Sequence, residues 1–187
     1  MPKSTVVNQI AYNSETAFRV LSNILSMIAK CDSKISYLLG AMSLATIFEL
    51  NLIKYDRLYK SITSSPSFLC VFVFVSLVLG ALCIFFAIVL SIYSLSPKLR
   101  PLHRCYNKVK SNSLLYFGTI IKNDYSHFEQ QCKKMTEEQL YEDLLSQIYI
   151  NSAIADKKYV LLRFTTVFFI ISFVSLLLVI LLQHLVF

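Results

Sequence analysis

The chain has 187 residues, 56% of them hydrophobic and 13% aromatic, with a formal net charge of +7 from 18 Lys and Arg against 11 Asp and Glu. A soluble domain uses about 45–50% apolar residues, so this composition excludes an ordinary soluble globule and reads as a membrane protein. Five scattered cysteines, odd in number and without a Cys-x-x-Cys pair, argue against a disulfide framework, and MPKSTVVNQIAYNSETAFRV lacks the pattern of a cleaved signal peptide.

Residues 1–34 read as a cytosolic amphipathic helix. Ala17, Leu21, Ile24 and Ile28 recur at helical spacing, with Ser14 as the expected N-cap. Neither Gly nor Pro stops this helix at Cys31-Asp32-Ser33-Lys34, so it is expected to run into ISYLLGAMSLATIFELNLI, residues 35–53. That stretch has the roughly 20-residue length of a membrane span although Glu49 and Asn51 interrupt it. Glu49, an ionisable residue in a span, is placed near the outer interface, where its carboxylate reaches water. Residues 67–96, bracketed by Pro66 and Pro97, form a charge-free second span, long enough to cross once and too short to cross twice.

A cytosolic loop and helical region is expected over 98–163. It opens with KLRPLHRCYNKVK, whose five basic residues suit anionic lipid headgroups or a phosphate-bearing ligand. SLLYFGTIIKNDYSHF follows, where Gly118 is expected to permit a sharp turn while Tyr116 and Phe117 either dock between helices or stack on a base. Thr136-Glu137-Glu138-Gln139 has the form of a capping box, and no breaker occurs from there to Phe187. Leu140, Leu144 and Ile148 mark the first buried stripe of that helix. The charge-free stretch 164–187 is read as a third span and C-terminal anchor.

The expected fold class is therefore an all-α membrane protein with three transmembrane helices and long cytosolic helical extensions. Its divisions are 1–34, 35–97 with a short outer loop, 98–163, and 164–187. Fifteen of the eighteen basic residues fall before residue 35 or between 98 and 163, which places the N-terminus and the long loop in the cytoplasm. Topology thus accounts for the basic excess without any nucleic acid. Both soluble helices enter the membrane travelling in the same direction, which puts Asp32 and Lys34 at the depth of Asp156, Lys157, Lys158 and Arg163. Such a collar is either a solvated anchor at the lipid surface or a ligand-responsive joint. Ser36-x-x-x-Gly40, Ala41-x-x-x-Ala45 and Ser76-x-x-x-Gly80 offer small surfaces for close helix contact, and a homo-oligomer is expected from them.

Chemistry of the enzymatic kind has little support. There is no Gly-rich phosphate loop and no His pair at metal spacing, and His103, His127 and His184 stand apart. The expectation is a non-enzyme with no resident cofactor.

The order of these features resembles the transmembrane effectors of Pycsar, the bacterial pyrimidine-cyclase antiphage system. The resemblance runs from about residue 14 to 180 and rests on Asp32-x-Lys34, Tyr116-Phe117-Gly118 and the series Gln147, Ile154, Lys158 and Tyr159 in QIYINSAIADKKYVLLR. It implies a multi-pass protein of the bacterial inner membrane, in contact with membrane lipid. On infection, a partner pyrimidine nucleotide cyclase makes a cyclic pyrimidine mononucleotide, cCMP or cUMP. The effector then oligomerises and impairs membrane integrity, an abortive infection. The residues to which ligand binding or coupling is assigned are Asp32, Lys34, Tyr116, Phe117, Gly118, Gln147, Lys157, Lys158, Tyr159 and Arg163. The competing readings are a membrane adaptor that recruits a cytosolic partner and a small channel subunit; a cyclase gene next door favours the effector.

Overall fold

In the computed structural model the described residues are 13–53, 55–56, 60, 68–96 and 113–186, with side chains to 182. The basic run of 98–110 with Cys105 and His103, the flanking Pro66 and Pro97, and the His184 side chain lie outside them. Five helices and no strand are present among the described residues: α1 Ser14–Leu52, α2 Phe68–Leu95, α3 Phe117–Ile120, α4 Tyr125–Lys134 and α5 Glu137–Val186. They fall into two compact units, one of Met1–Ile28 with Arg100–Ala155, the other of Ala29–Leu99 with Asp156–Phe187.

The long helices form because nothing in them breaks a helix, and their starts are set by side chains. The N-cap of α1 is Asn13, not Ser14: Asn13 Oδ1 accepts the Thr16 N–H at 2.8 Å and the Thr16 hydroxyl at 2.8 Å. Asparagine is the better cap here because its carbonyl oxygen reaches the third residue of the helix. Upstream of α5 the expected capping box is formed, with Gln139 N–H on Thr136 Oγ1 at 3.3 Å and Thr136 N–H on Gln139 Oε1 at 3.2 Å. From there α5 runs 50 residues, about 75 Å at the helical rise.

Within the second unit α1, α2 and α5 pack together in layers. Asp32 of α1 meets Lys158 of α5 at one end. Then come Met42 and Ala45 of α1 against Ile84 and Ala87 of α2, with Phe168 and Phe169 of α5 packed on them. At the far end Ile53 and Val73 cluster with Leu176 and Val179. This succession makes α1 and α5 run the same way and α2 the opposite way.

Gly80 of α2 sits directly on α5: a Cβ there would come within 2.9 Å of Ser175 Oγ and 3.2 Å of Ser175 Cβ. Beside it the Ser76 and Ser175 hydroxyls are 3.0 Å apart, and Ser175 Oγ also donates to the Ser76 carbonyl at 2.5 Å. The small surface Ser76-x-x-x-Gly80, expected to serve self-association, is thus consumed inside the chain. Ala45 is likewise buried in the α1–α2 layer. Only the Ser36–Gly40 surface stays open, with nothing within 4 Å of a Cβ built at Gly40.

Among the described residues two helices are long and apolar enough to cross a membrane: α2, Phe68–Leu95, and α5 within Glu137–Leu182. The expected span at 35–53 is the continuing end of α1 and is not one of these two.

Candidate functional site

The collar residues are drawn together at the end of the α1–α2–α5 packing. Cys31 and Ile35 are fully buried on α1, and between them Asp32 reaches across to α5. The Lys158 ammonium, with its side chain only 9% exposed, donates to Asp32 Oδ1, whose side chain is 35% exposed. Withdrawing an ammonium this far from water is costly, and the Asp32 carboxylate offsets part of that cost. One residue earlier Lys157 turns to α2, its Nζ 5.4 Å from the centre of the Tyr93 ring and 3.2 Å from the Tyr93 hydroxyl oxygen. Lys34, Tyr159 and Arg163, assigned to the same site by sequence, stand exposed instead, and Asp156 does too. The thiol of Cys31 is pushed up from its ordinary range by burial and then by the Asp32 carboxylate, against the opposing pull of Lys158 and Lys34.

The first unit holds a second cluster, built where the 113–116 segment lies on α5. Ser113 is buried, and its hydroxyl oxygen receives the Gln147 side-chain N–H at 3.0 Å and the backbone N–H groups of Leu115 and Tyr116 at 3.1 and 3.2 Å. Thr119 Oγ1 closes the turn on the Ser113 and Tyr116 carbonyls. One helical turn before Gln147, buried Asp143 accepts the Leu114 N–H on Oδ2 at 2.8 Å. Its other oxygen, Oδ1, is buried without a hydrogen-bond partner among the described residues. Gln147 is therefore an anchor for the loop.

Tyr116 and Phe117 do not plug a gap between helices. Phe117 is 76% exposed and Tyr116 46%, with ring centres 4.8 Å apart. Gly118 makes no unusual turn, since no glycine has a positive φ. Its missing Cβ matters for a different reason: one placed there would meet the Tyr116 ring at 2.6 Å, so the ring lies over a bare backbone.

Sequence reasoning missed Asp143, Ser113 and Tyr93. The i, i+4 spacing of Asp143 and Gln147 beside the Leu144 stripe was the available signal for the first. Leu144 is buried as expected, with Leu140 and Ile148 half-buried.

Compared with known sequences, the chain matches the profile of the Pycsar effector protein domain over residues 16–184. The chain belongs to the Pycsar effector family. Among curated proteins it is similar to the Pycsar effector protein GmPycTM of Gulbenkiania mobilis, 29% identical over 161 residues that cover 79% of this chain and 81% of that protein. No solved structure matches the chain. Effectors of this family act in antiphage defence in a system that includes a cyclase, and the two long apolar helices fit the family's transmembrane character.

Proposed function

We propose that this chain is an inner-membrane effector that a cyclic pyrimidine mononucleotide, cCMP or cUMP, switches from a resting to a membrane-impairing state, so that the infected cell stops growing. It crosses the membrane three times, with its N-terminus cytoplasmic, works as a homo-oligomer, and performs no catalysis. Support for the third crossing comes from depth: α1 continues beside α2 and α5 from Asp32 to Ile53, some 32 Å at the helical rise, which is about one hydrocarbon thickness.

The observation that carries the reading is the ion pair of buried Lys158 with half-buried Asp32, joining α1 to α5 where each enters the membrane-spanning packing. A ligand shifts such a joint only by binding one arrangement better than the other. The exposed rings of Tyr116 and Phe117 offer the face on which a pyrimidine stacks. Purified protein in liposomes of anionic lipid tests the proposal by release of a trapped dye. The expected result is release on adding cCMP or cUMP but not cAMP; no release with either pyrimidine nucleotide refutes it.

A further inference from the structure

Among the described residues the serines and Thr165 in the membrane-spanning parts of α2 and α5 are turned inward. On α2, Ser76, Ser91 and Ser94 are all buried, while Phe74, Val75, Leu79, Leu82 and Phe86 face outward. On α5, Thr165, Ser172 and Ser175 are buried, and Thr166, half-buried, is satisfied on the Leu162 carbonyl at 2.8 Å. Six hydroxyls therefore line the inner faces of the two helices. From Ser76 to Ser94 the strip on α2 extends about 27 Å, nearly the depth of a bilayer core.

Two of these hydroxyls carry an unmet demand. Ser94 Oγ and Thr165 Oγ1 are fully buried and have no hydrogen-bond partner among the described residues. Both lie toward the Lys158 end. At the other end, Ser76 and Ser175 satisfy each other. Between the two polar stretches lies an apolar block of Met42, Ile84, Ala87, Phe168 and Phe169. Polar stretches separated by an apolar constriction are the arrangement that excludes water while closed and conducts once the constriction widens.

We infer that water, ions and dye-sized anions cross the bilayer along this α2–α5 seam, within one chain, when the two helices part. The inference rests on the membrane-impairing function proposed above. A water path needs a wall that can hydrate, and the lipid-facing sides of α2 and α5 offer hydrocarbon. The outward face of α1 is the rival wall, but its Ser36 and Ser43 hydroxyls are already bonded to the carbonyls of Asp32 and Leu39 at 3.0 and 2.9 Å. Among the described residues the buried hydroxyls left without a partner, Ser94 Oγ and Thr165 Oγ1, lie on α2 and α5 and not on α1.

The test uses the full chain with Ser76→Cys and Ser175→Cys, whose Oγ atoms now stand 3.0 Å apart, so that oxidation ties α2 to α5 within a chain. Liposomes are loaded with a fluorescent anion, and cCMP or cUMP is added. The unsubstituted protein releasing dye, with the oxidised variant releasing at least tenfold more slowly and recovering on reduction, supports the seam. Recovery on reduction also shows that the variant folds and inserts. Equal release from the oxidised and reduced variant overturns the seam and passes the route to the α1 face or to a lumen between chains. No release from the unsubstituted protein overturns the membrane-impairing reading itself, and the inference with it.

Discussion

Lys158 is the side chain whose loss should be felt most. Truncating one partner of a buried pair leaves the other charge without compensation, at about 3–5 kcal/mol when both are fully buried. Asp32 is a third exposed, which reduces the expected cost of Lys158→Ala to about 1–3 kcal/mol in thermal unfolding of the detergent-solubilised protein. Adding Asp32→Asn should return part of it, and an additive double variant would show that the pair does not couple. In cells, Lys158→Ala is expected to keep its abundance in the membrane while losing cyclase-dependent growth arrest. A second contrast lies between thiols. Cys132 is exposed, whereas Cys31 is buried and its thiol is pushed upward, so less of it is thiolate at neutral pH. In a Cys105→Ser background, maleimide should modify Cys132 at least tenfold faster than Cys31, read by mass spectrometry of the peptides. The Asp32–Lys158 meeting was legible in the sequence because two unbroken helices, read as entering a membrane from one side, put both residues at one depth. Asp143 was not. Its burial exists only because Ser113 and Leu114 return to it from about thirty positions earlier, and no local pattern announces that return.

At the scale of elements, the docked loop depends on one hydroxyl. Ser113→Ala removes the acceptor for Gln147 and for two backbone N–H groups, and should raise amide exchange over 113–124 at least tenfold while leaving α2 protected. Unchanged exchange there would mean that Asp143 alone holds the loop. Gly80→Val should push α2 off Ser175 and increase dye leakage without any nucleotide, and Ile84→Ser, which wets the apolar block, should do the same. Leakage from either variant no greater than from the unsubstituted protein would argue against a constriction at that layer. The helices themselves were readable where composition forces them: α2 from its charge-free run, α5 from its capping box and the absence of breakers. α4 was not anticipated, because Tyr125–Lys134 is only ten residues long and mostly polar, with Tyr125, Phe128 and Cys132 as its only apolar side chains. The Ser76–Gly80 surface was visible as a contact surface, but small residues permit a close approach without stating whose helix approaches. Here the partner is α5 of the same chain.

For the molecule as a whole, the distribution of basic residues predicts that the region from 98 to 163 faces the cytoplasm. A membrane-impermeant maleimide should therefore leave Cys132 unmodified in intact spheroplasts and label it in inverted vesicles; labelling in spheroplasts would overturn the orientation. One further consequence concerns time and supply. Among the described residues the serine hydroxyls of α2 and the serine and Thr165 hydroxyls of the membrane part of α5 are turned inward, and the exposed side chains there are apolar apart from Tyr93 at the Lys157 end. Under the proposed function, such a protein is expected to be stockpiled before any infection without harm to its host. The proposed response then needs neither transcription nor translation, only a helix displacement of the microsecond-to-second class. Strong expression without the cyclase should thus leave growth unchanged, and permeability to an added dye should rise within seconds of supplying the nucleotide to permeabilised cells in which protein synthesis has been stopped. A lag of many minutes would point to slow assembly of new chains as the limiting event.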